Sequence, residues 1–250
     1  MSPLSWTLLL AAAFLAGAVN SVAGGGTLLT FPTLLSAGIS PIMANATSTV
    51  ALVPGSLGAF FGYGDERKAA QEELLTLGLP SVVGGVLGAL LVMRLGDRSF
   101  ARLVPFLLYG ATALFLVQPL VKRALERRTK KLPRFALPLF QLLVATYGGF
   151  FGAGIGILML AAMGIVLAGA SIHRLNAFKN LAAATINGVA AITFALSQRV
   201  LWPVAGAMAV AALLGGFLGA GIAKKLGERV VRGFVVCVGI AIATYMLVRR

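Results

Sequence analysis

The chain reads Gly84-Gly85-Val86-Leu87-Gly88 in its first half and Gly215-Gly216-Phe217-Leu218-Gly219 about 131 residues later. The stretch Leu95-Gly96-Asp97-Arg98 returns at the same spacing as Leu226-Gly227-Glu228-Arg229. Almost every matched stretch is apolar or borders an apolar segment. A duplicated hydrophobic chain with glycine-broken segments at matched places is typical of secondary transporters, whose binding site lies between the two halves.

Composition places the chain in a membrane. Of its 250 residues, 59% are hydrophobic and only 11% are charged, whereas soluble domains carry about 25% charged residues. Several apolar runs reach the ~20 residues that a helix needs to cross a bilayer. We therefore predict an all-α polytopic protein that passes several times through the inner (plasma) membrane of the cell.

The net charge of +14 is spread over the loops between apolar runs. This dispersal favours the positive-inside rule of membrane topology over nucleic-acid binding. One cysteine and one histidine are too few for a disulfide or a Cys/His metal site, and we expect no cofactor.

Two homologous halves are predicted, residues 1–121 and 137–250, joined by a basic cytoplasmic linker at residues 122–136. Each half has one glycine-broken pair of apolar segments followed by three longer transmembrane helices. The predicted segments of the first half are 3–23, 27–39, 41–63, 74–93 and 100–121, and those of the second are 137–151, 157–168, 175–196, 201–223 and 230–248.

Two topologies are compatible with this pattern. If each broken pair contains one full span, the halves share an orientation, and the basic residues divide between the two faces as twelve and nine. If each broken pair is a hairpin that enters and leaves on one side, the halves are inverted, and the division is fifteen and six. The positive-inside rule favours the inverted arrangement, with both termini outside.

The glycine clusters are candidate binding elements. Gly24, Gly25 and Gly26 precede one short helix, and Gly152, Gly154 and Gly156 precede the other. Broken backbone inside a membrane is tolerated only where it is buried or lines a cavity. Two helix N-termini that converge there would attract an anion. The alternative is that the glycines only allow helices to pack closely.

Few polar side chains lie within the apolar segments. Lys179 shares one helix face with Asn176 and Asn180, and ionisable residues inside a membrane are functional candidates. The alternative for Lys179 is that its long side chain reaches the cytoplasmic surface. The other polar candidates are Asn20 and Ser21 before the first break and Asn45, Thr47 and Ser48 in the helix that corresponds to that of Lys179.

The positions of the acidic residues indicate the sign of the charge on the substrate. All seven lie in predicted loops or at the ends of apolar segments. This distribution argues against a cationic substrate and fits an anion. No catalytic constellation is evident, so we predict that the protein is not an enzyme.

Two motifs resemble the TauE/SafE family. The first runs from Ala16 to Gly26, reads AGAVNSVAGGG, and is followed by Pro32 and Ala44-Asn45-Ala46-Thr47-Ser48. The second is Gly149-Phe150-Phe151-Gly152-Ala153-Gly154, followed by HRLNAFKN at residues 173–180. The resemblance covers essentially the whole chain. It implies a bacterial membrane permease, since the named members of the family export sulfite and organosulfonates such as sulfoacetate. The second half departs from the family's Ala-x-x-Thr-Ser-like run and carries Lys179 instead.

The predicted function is export of a small anion, such as sulfite or an organosulfonate, by alternating access between the two repeats. The alternatives are an anion channel and a membrane scaffold or assembly factor that transports nothing. The expected partners are the anion and the lipid bilayer. The protein is either a monomer or an oligomer, because the faces that contain Gly84 and Gly215 can pack within one protomer or between protomers. The predicted substrate-binding residues are Asn20, Ser21, Gly24, Gly25, Gly26, Asn45, Thr47, Ser48, Gly152, Gly154, Gly156, Asn176, Lys179 and Asn180.

Overall fold

A computed structural model describes residues 1–22, 24–61, 66–126, 136–166, 172–226 and 228–248. These residues form helices and turns, without a β-strand among them. The helices of the first half are α1 (Pro3–Val22), α2 (Thr27–Ser36), α3 (Pro41–Phe61), α4 (Glu66–Leu95) and α5 (Asp97–Glu126). Those of the second half are α6 (Ala136–Phe150), α7 (Ile155–Val166), α8 (Ile172–Leu196), α9 (Trp202–Leu226) and α10 (Glu228–Val248).

The predicted order of elements is confirmed, since each half has a broken pair followed by three longer helices. Two boundaries differ. α4 begins at Glu66 instead of residue 74, and α5 runs on to Glu126, into the predicted linker. Glu, Gln, Lys and Arg are good helix formers, so a helix continues past the point where its apolar run stops. Residues 127–135 of the predicted linker lie outside the described residues.

The exterior of the helices is apolar. Within the described ranges, four helices are long and apolar enough to cross a membrane: Pro3–Ser21, Leu77–Leu95, Asp97–Val121 and Arg174–Leu196. Large aliphatic side chains such as Leu79, Leu143 and Val210 are exposed on the outer surface. An apolar exterior of this kind belongs in lipid. The protein is therefore a multi-pass helical membrane protein.

Helices of each half pack mainly against helices of the other half. α1 of the first half packs against α9 of the second, and α6 of the second half packs against α4 of the first. In the same reciprocal way α3 packs against α9, and α8 packs against α4. α3 contacts α8, its own counterpart, and α5 contacts α10. Neither half therefore forms a separate core.

Glycines allow helices of opposite halves to pack closely. A Cβ built on Gly84 of α4 would lie 2.7 Å from the Leu142 carbonyl oxygen of α6. On α9, a Cβ at Gly215 would collide with the Phe14 carbonyl oxygen of α1. The backbones of these helices are thus in direct contact, as small residues allow in membranes. These faces of the repeated glycine motif pack within one chain.

The helix breaks fall at the predicted glycines, and both use the same backbone hydrogen bond. At the first break, Gly24 has a φ of 70°, and its N–H donates to the Val19 carbonyl at 3.2 Å. At the second, Gly152 has a φ of 78° and donates to the Tyr147 carbonyl at 3.3 Å. A positive φ favours glycine, which has no Cβ to clash with the backbone. The two breaks are therefore locally equivalent.

Asn20 holds the first break closed. Its side-chain Oδ1 accepts the N–H of Gly25 at 2.9 Å and that of Gly26 at 2.8 Å. A Cβ on Gly26 would lie 2.7 Å from the Ala16 carbonyl oxygen, so the chain turns back onto the end of α1. α2 then runs inside the protein, and most of its residues are buried.

An aromatic cluster fixes the second break against the first half. Phe31 of α2 makes an edge contact with Phe151, with ring centres 5.2 Å apart. Phe100 of α5 contacts Phe150 in the same way at 5.7 Å. Perpendicular aromatic pairs of this kind add about 0.5–1.5 kcal/mol beyond the burial of their area. The cluster therefore ties α2 and α5 to the end of α6.

The close packing of α9 on α1 predicts the effect of one added methyl group. Gly215→Ala is expected to lower the free energy of unfolding by about 1–3 kcal/mol, because its Cβ has no room. Gly206→Ala is the matched control, since it lies on the same helix and its Cβ would meet nothing within 4 Å. Thermal unfolding of both purified variants in detergent tests this, and equal melting temperatures would contradict the packing described here.

The cap at the first break gives a second expectation. Asn20→Ala removes the acceptor for two buried N–H groups, and we expect a loss of about 1–3 kcal/mol in the free energy of unfolding. Asn187→Ala is the control, because within the described chain that side chain makes no hydrogen bond. Thermal unfolding should show a clearly larger loss for Asn20→Ala. If Asn187→Ala costs as much, the cap contributes little.

Candidate functional site

The two glycine breaks meet in the interior. A Cβ built on Gly24 would lie 2.8 Å from the Cα of Gly156, so the two turns of backbone touch. Beside this contact lies a cavity with a volume of about 20 Å³, enough for one water molecule. The residues that line it are Asn20, Gly24, Gly25, Thr27, Ser56, Gly152, Ile155, Gly156, Lys179, Asn180, Ala183 and Asn187.

The cavity lies between the repeats. Gly24 and Gly152 occupy the same place in the two breaks, and Ser56 and Asn187 lie 131 residues apart in the corresponding helices α3 and α8. Both members of each pair line the cavity. Equivalent positions of the two halves therefore both line the cavity, and each half contributes part of the wall.

Lys179 is the charged residue of the cavity wall. Its side chain is only 1% exposed, and its ammonium group donates to the Asn20 carbonyl oxygen at 3.1 Å. Among the described residues, no carboxylate lies within ion-pair distance of this group. The alternative in which Lys179 extends to the cytoplasmic surface is therefore wrong. α8 begins at Ile172, so Lys179 lies about 10 Å along the helix, and its side chain turns toward the first break.

Asn180 adds a donor that has no partner. Its side chain is 2% exposed, and its Nδ2 has no hydrogen-bond partner. An ammonium group has three N–H bonds and an amide nitrogen two. A buried donor without an acceptor costs about 1–3 kcal/mol. The wall around Lys179 and Asn180 is therefore rich in donors and poor in negative charge.

Half of the predicted binding residues come together here, and the others lie elsewhere. Those in the cavity wall are Asn20, Gly24, Gly25, Gly152, Gly156, Lys179 and Asn180. The structure places Ser21, Gly26, Asn45, Thr47, Ser48, Gly154 and Asn176 outside the cavity wall.

Several of these other residues hold helices together. Thr47 accepts a hydrogen bond from the Leu201 N–H at 3.1 Å, and the Ser48 hydroxyl lies 2.6 Å from that of Thr30. A buried hydroxyl needs a partner, and here each finds one on a neighbouring element. In the present arrangement these two hydroxyls are structural.

Asn45 and Asn176 are repeat-related but differ in their partners. The Asn45 Nδ2 donates to the Phe150 carbonyl at 3.0 Å, which ties α3 to the second break. Both asparagines are buried, and the Oδ1 of each has no hydrogen-bond partner. Ser21 donates to the Ala18 carbonyl at 2.8 Å, so its hydroxyl is used within its own helix.

The sequence analysis missed part of the wall. Thr27, Ser56, Ile155, Ala183 and Asn187 line the cavity and were outside the predicted set. One signal was available for two of them. Ser56 and Asn187 are polar residues within long helices at the repeat spacing, and repeat-related polar pairs mark the interface between halves.

The chain matches the family model described as sulfite exporter TauE/SafE over residues 9–246. It is 32% identical to the "Probable membrane transporter protein YfcA" of Escherichia coli strain K12, over 99% of this chain and 91% of that protein. It is 30% identical to a "Probable membrane transporter protein" of Haemophilus influenzae, over 96% and 93% of the two chains. No solved structure matches the chain.

These matches cover nearly the whole chain and confirm the resemblance seen in its motifs. They agree with the apolar exterior of the helices. This protein therefore belongs to the TauE/SafE family and is a membrane transporter.

Proposed function

We propose that this protein exports a small anion, such as sulfite or an organosulfonate, across the inner membrane by alternating access between two inverted repeats. The observation that carries the proposal is the buried ammonium group of Lys179, which lines the cavity without a carboxylate partner. The family's description as sulfite exporters supplies the substrate class and the direction of transport.

The electrostatic argument is one of compensation. Moving an ammonium group out of water costs several kcal/mol even after the protein relaxes. The single hydrogen bond to the Asn20 carbonyl offsets only part of that cost. A bound anion would compensate the charge and accept hydrogen bonds from Lys179 and Asn180. This is why charged groups inside membranes mark substrate pathways.

Contacts at one end of the protein support inverted repeats. The Ile42 N–H at the start of α3 donates to Asp97 at 2.9 Å. Asp97 also pairs with Arg199, just after the end of α8, at 3.3 Å. α3 and α8 are counterparts, yet the start of one meets the end of the other. Inverted halves require this, whereas halves with a shared orientation would bring the two starts together.

The small volume of the cavity supports a carrier. Its volume of about 20 Å³ suits a water molecule, and a sulfonate group is larger. Its wall must therefore move apart to admit the anion. Because each half contributes to the wall, a rocking motion of one half against the other would open it. Transporters built from repeats commonly move in this way around a central site.

Replacing Lys179 should separate transport from folding. Lys179→Met keeps the length of the side chain and removes the charge. We expect sulfonate uptake by proteoliposomes to fall at least about tenfold, equivalent to 1.4 kcal/mol. Thermal stability should stay equal or rise, because a buried charge without a partner is removed. Arg94→Met is the control, since Arg94 is exposed and remote from the cavity. Full flux through Lys179→Met would refute the proposed site.

Inverted topology is testable with single cysteines. On a Cys237→Ala background, Gln198→Cys and Lys130→Cys are treated in intact cells with a membrane-impermeant thiol reagent. We expect labelling at residue 198 and none at residue 130 until the membrane is opened. If the two halves share an orientation, both positions lie on the same face and will label alike.

A further inference from the structure

We infer that the cavity accepts one negative charge, so that this transporter selects singly charged oxyanions over doubly charged ones. The inference rests on the proposed function and refines its substrate class. It follows from the number and placement of the charges around the cavity.

Among the described residues, the cavity wall has one cation. Apart from Lys179, the residues that line it are neutral: asparagines, hydroxyl residues, glycines and two aliphatic side chains. The basic residue closest in sequence is Arg174, five positions earlier, and it does not line the cavity. A bound monoanion would therefore form a neutral pair with Lys179.

The neutral donors do not supply a second charge. Asn180 offers an unpartnered amide, and the first break has its Gly25 and Gly26 N–H groups already bonded to Asn20. Such donors stabilise an oxyanion through dipoles, which is weaker than pairing with a full charge. A dianion in this site would leave one net negative charge buried.

The single charge comes from a difference between the repeats. Ser48 of α3 stands 131 residues before Lys179 of α8. Its hydroxyl lies 2.6 Å from that of Thr30, so the first half uses this position for a helix contact. Two symmetric halves would have carried two lysines and suited a dianion. This chain carries a positive charge at this position in one half only.

Because the site is buried, the number of charges on the ligand determines how well it binds. In water, an extra charge on the ligand is well solvated, whereas in a closed site a charge without a partner is strongly disfavoured. Lys179 is 1% exposed, so its ammonium group has little contact with bulk water. The doubly charged ligand therefore loses more hydration than the single ammonium group returns.

The test compares two matched pairs of sodium salts on the purified wild-type protein at equal ionic strength. Methanesulfonate and sulfate share a tetrahedral head group and carry one and two charges. Isethionate and sulfoacetate are of similar length and carry one and two charges. Thermal-shift titrations give each Kd, since a ligand that binds only the folded state raises its stability by mass action. We expect the singly charged member of each pair to bind at least about tenfold more tightly.

Two further outcomes separate this inference from the proposed function. If both members of each pair bind equally, or if the dianion binds more tightly, the charge selectivity is wrong and the anion transporter stands. If no anion of either charge shifts the melting temperature or crosses the membrane of proteoliposomes, the proposed function itself fails.

Two variants locate the binding. Lys179→Met should abolish the shift by methanesulfonate, and Lys179→Arg should restore part of it because the charge returns. Unchanged methanesulfonate binding by Lys179→Met would overturn the inference, because the selecting charge would then lie elsewhere.

Discussion

Lipid offers no hydrogen-bond partners, and this constraint shapes the whole protein. Each glycine break frees backbone groups that must be satisfied and enclosed within the chain. At the first break, the Asn20 amide takes up two of them, while α2 lies almost wholly inside. Enclosure of both breaks requires more surface than one half provides. α9 accordingly covers α1, α4 covers α6, and the breaks end in contact with each other.

The same enclosure explains where charge is tolerated. Lys179 lies beside the first break, where its ammonium group has a backbone carbonyl as partner. Elsewhere in a membrane, a buried lysine would have only apolar neighbours. A cavity walled by broken backbone can solvate a charge partly. The helix break therefore provides the polar surroundings in which Lys179 is buried.

The two glycine breaks are nearly symmetric in their backbone but differ in the side chains around them. The breaks share their glycines, their positive φ angles and their backbone hydrogen bond. The surrounding side chains differ, since Asn45 ties α3 to Phe150 while Lys179 reaches Asn20. Phe31, Phe100, Phe150 and Phe151 pack together at the second break. The two breaks therefore share a backbone frame and differ in the side chains around it.

Sequence reasoning predicted the helices, their order, both breaks and the family, because these depend on local composition and on repetition along the chain. It placed helix ends less well where good helix formers such as Glu66 extend beyond the apolar run. It also treated Thr47 and Ser48 like Lys179, since all three are polar residues at comparable places in repeat-related helices. Their partners, Leu201 and Thr30, lie on other elements, and the sequence gives no sign of which hydroxyl will be used in packing.

The sequence by itself determined a duplicated helical membrane protein with two glycine breaks and a few buried polar residues. Only the tertiary structure decided that Lys179 is buried, that the Asn180 amide nitrogen has no partner, and that Ser56 and Asn187 line one cavity. The physical reason is that burial and hydrogen-bond satisfaction are properties of neighbours. Here those neighbours come from opposite halves of the chain, brought together by helices packed across the glycine faces.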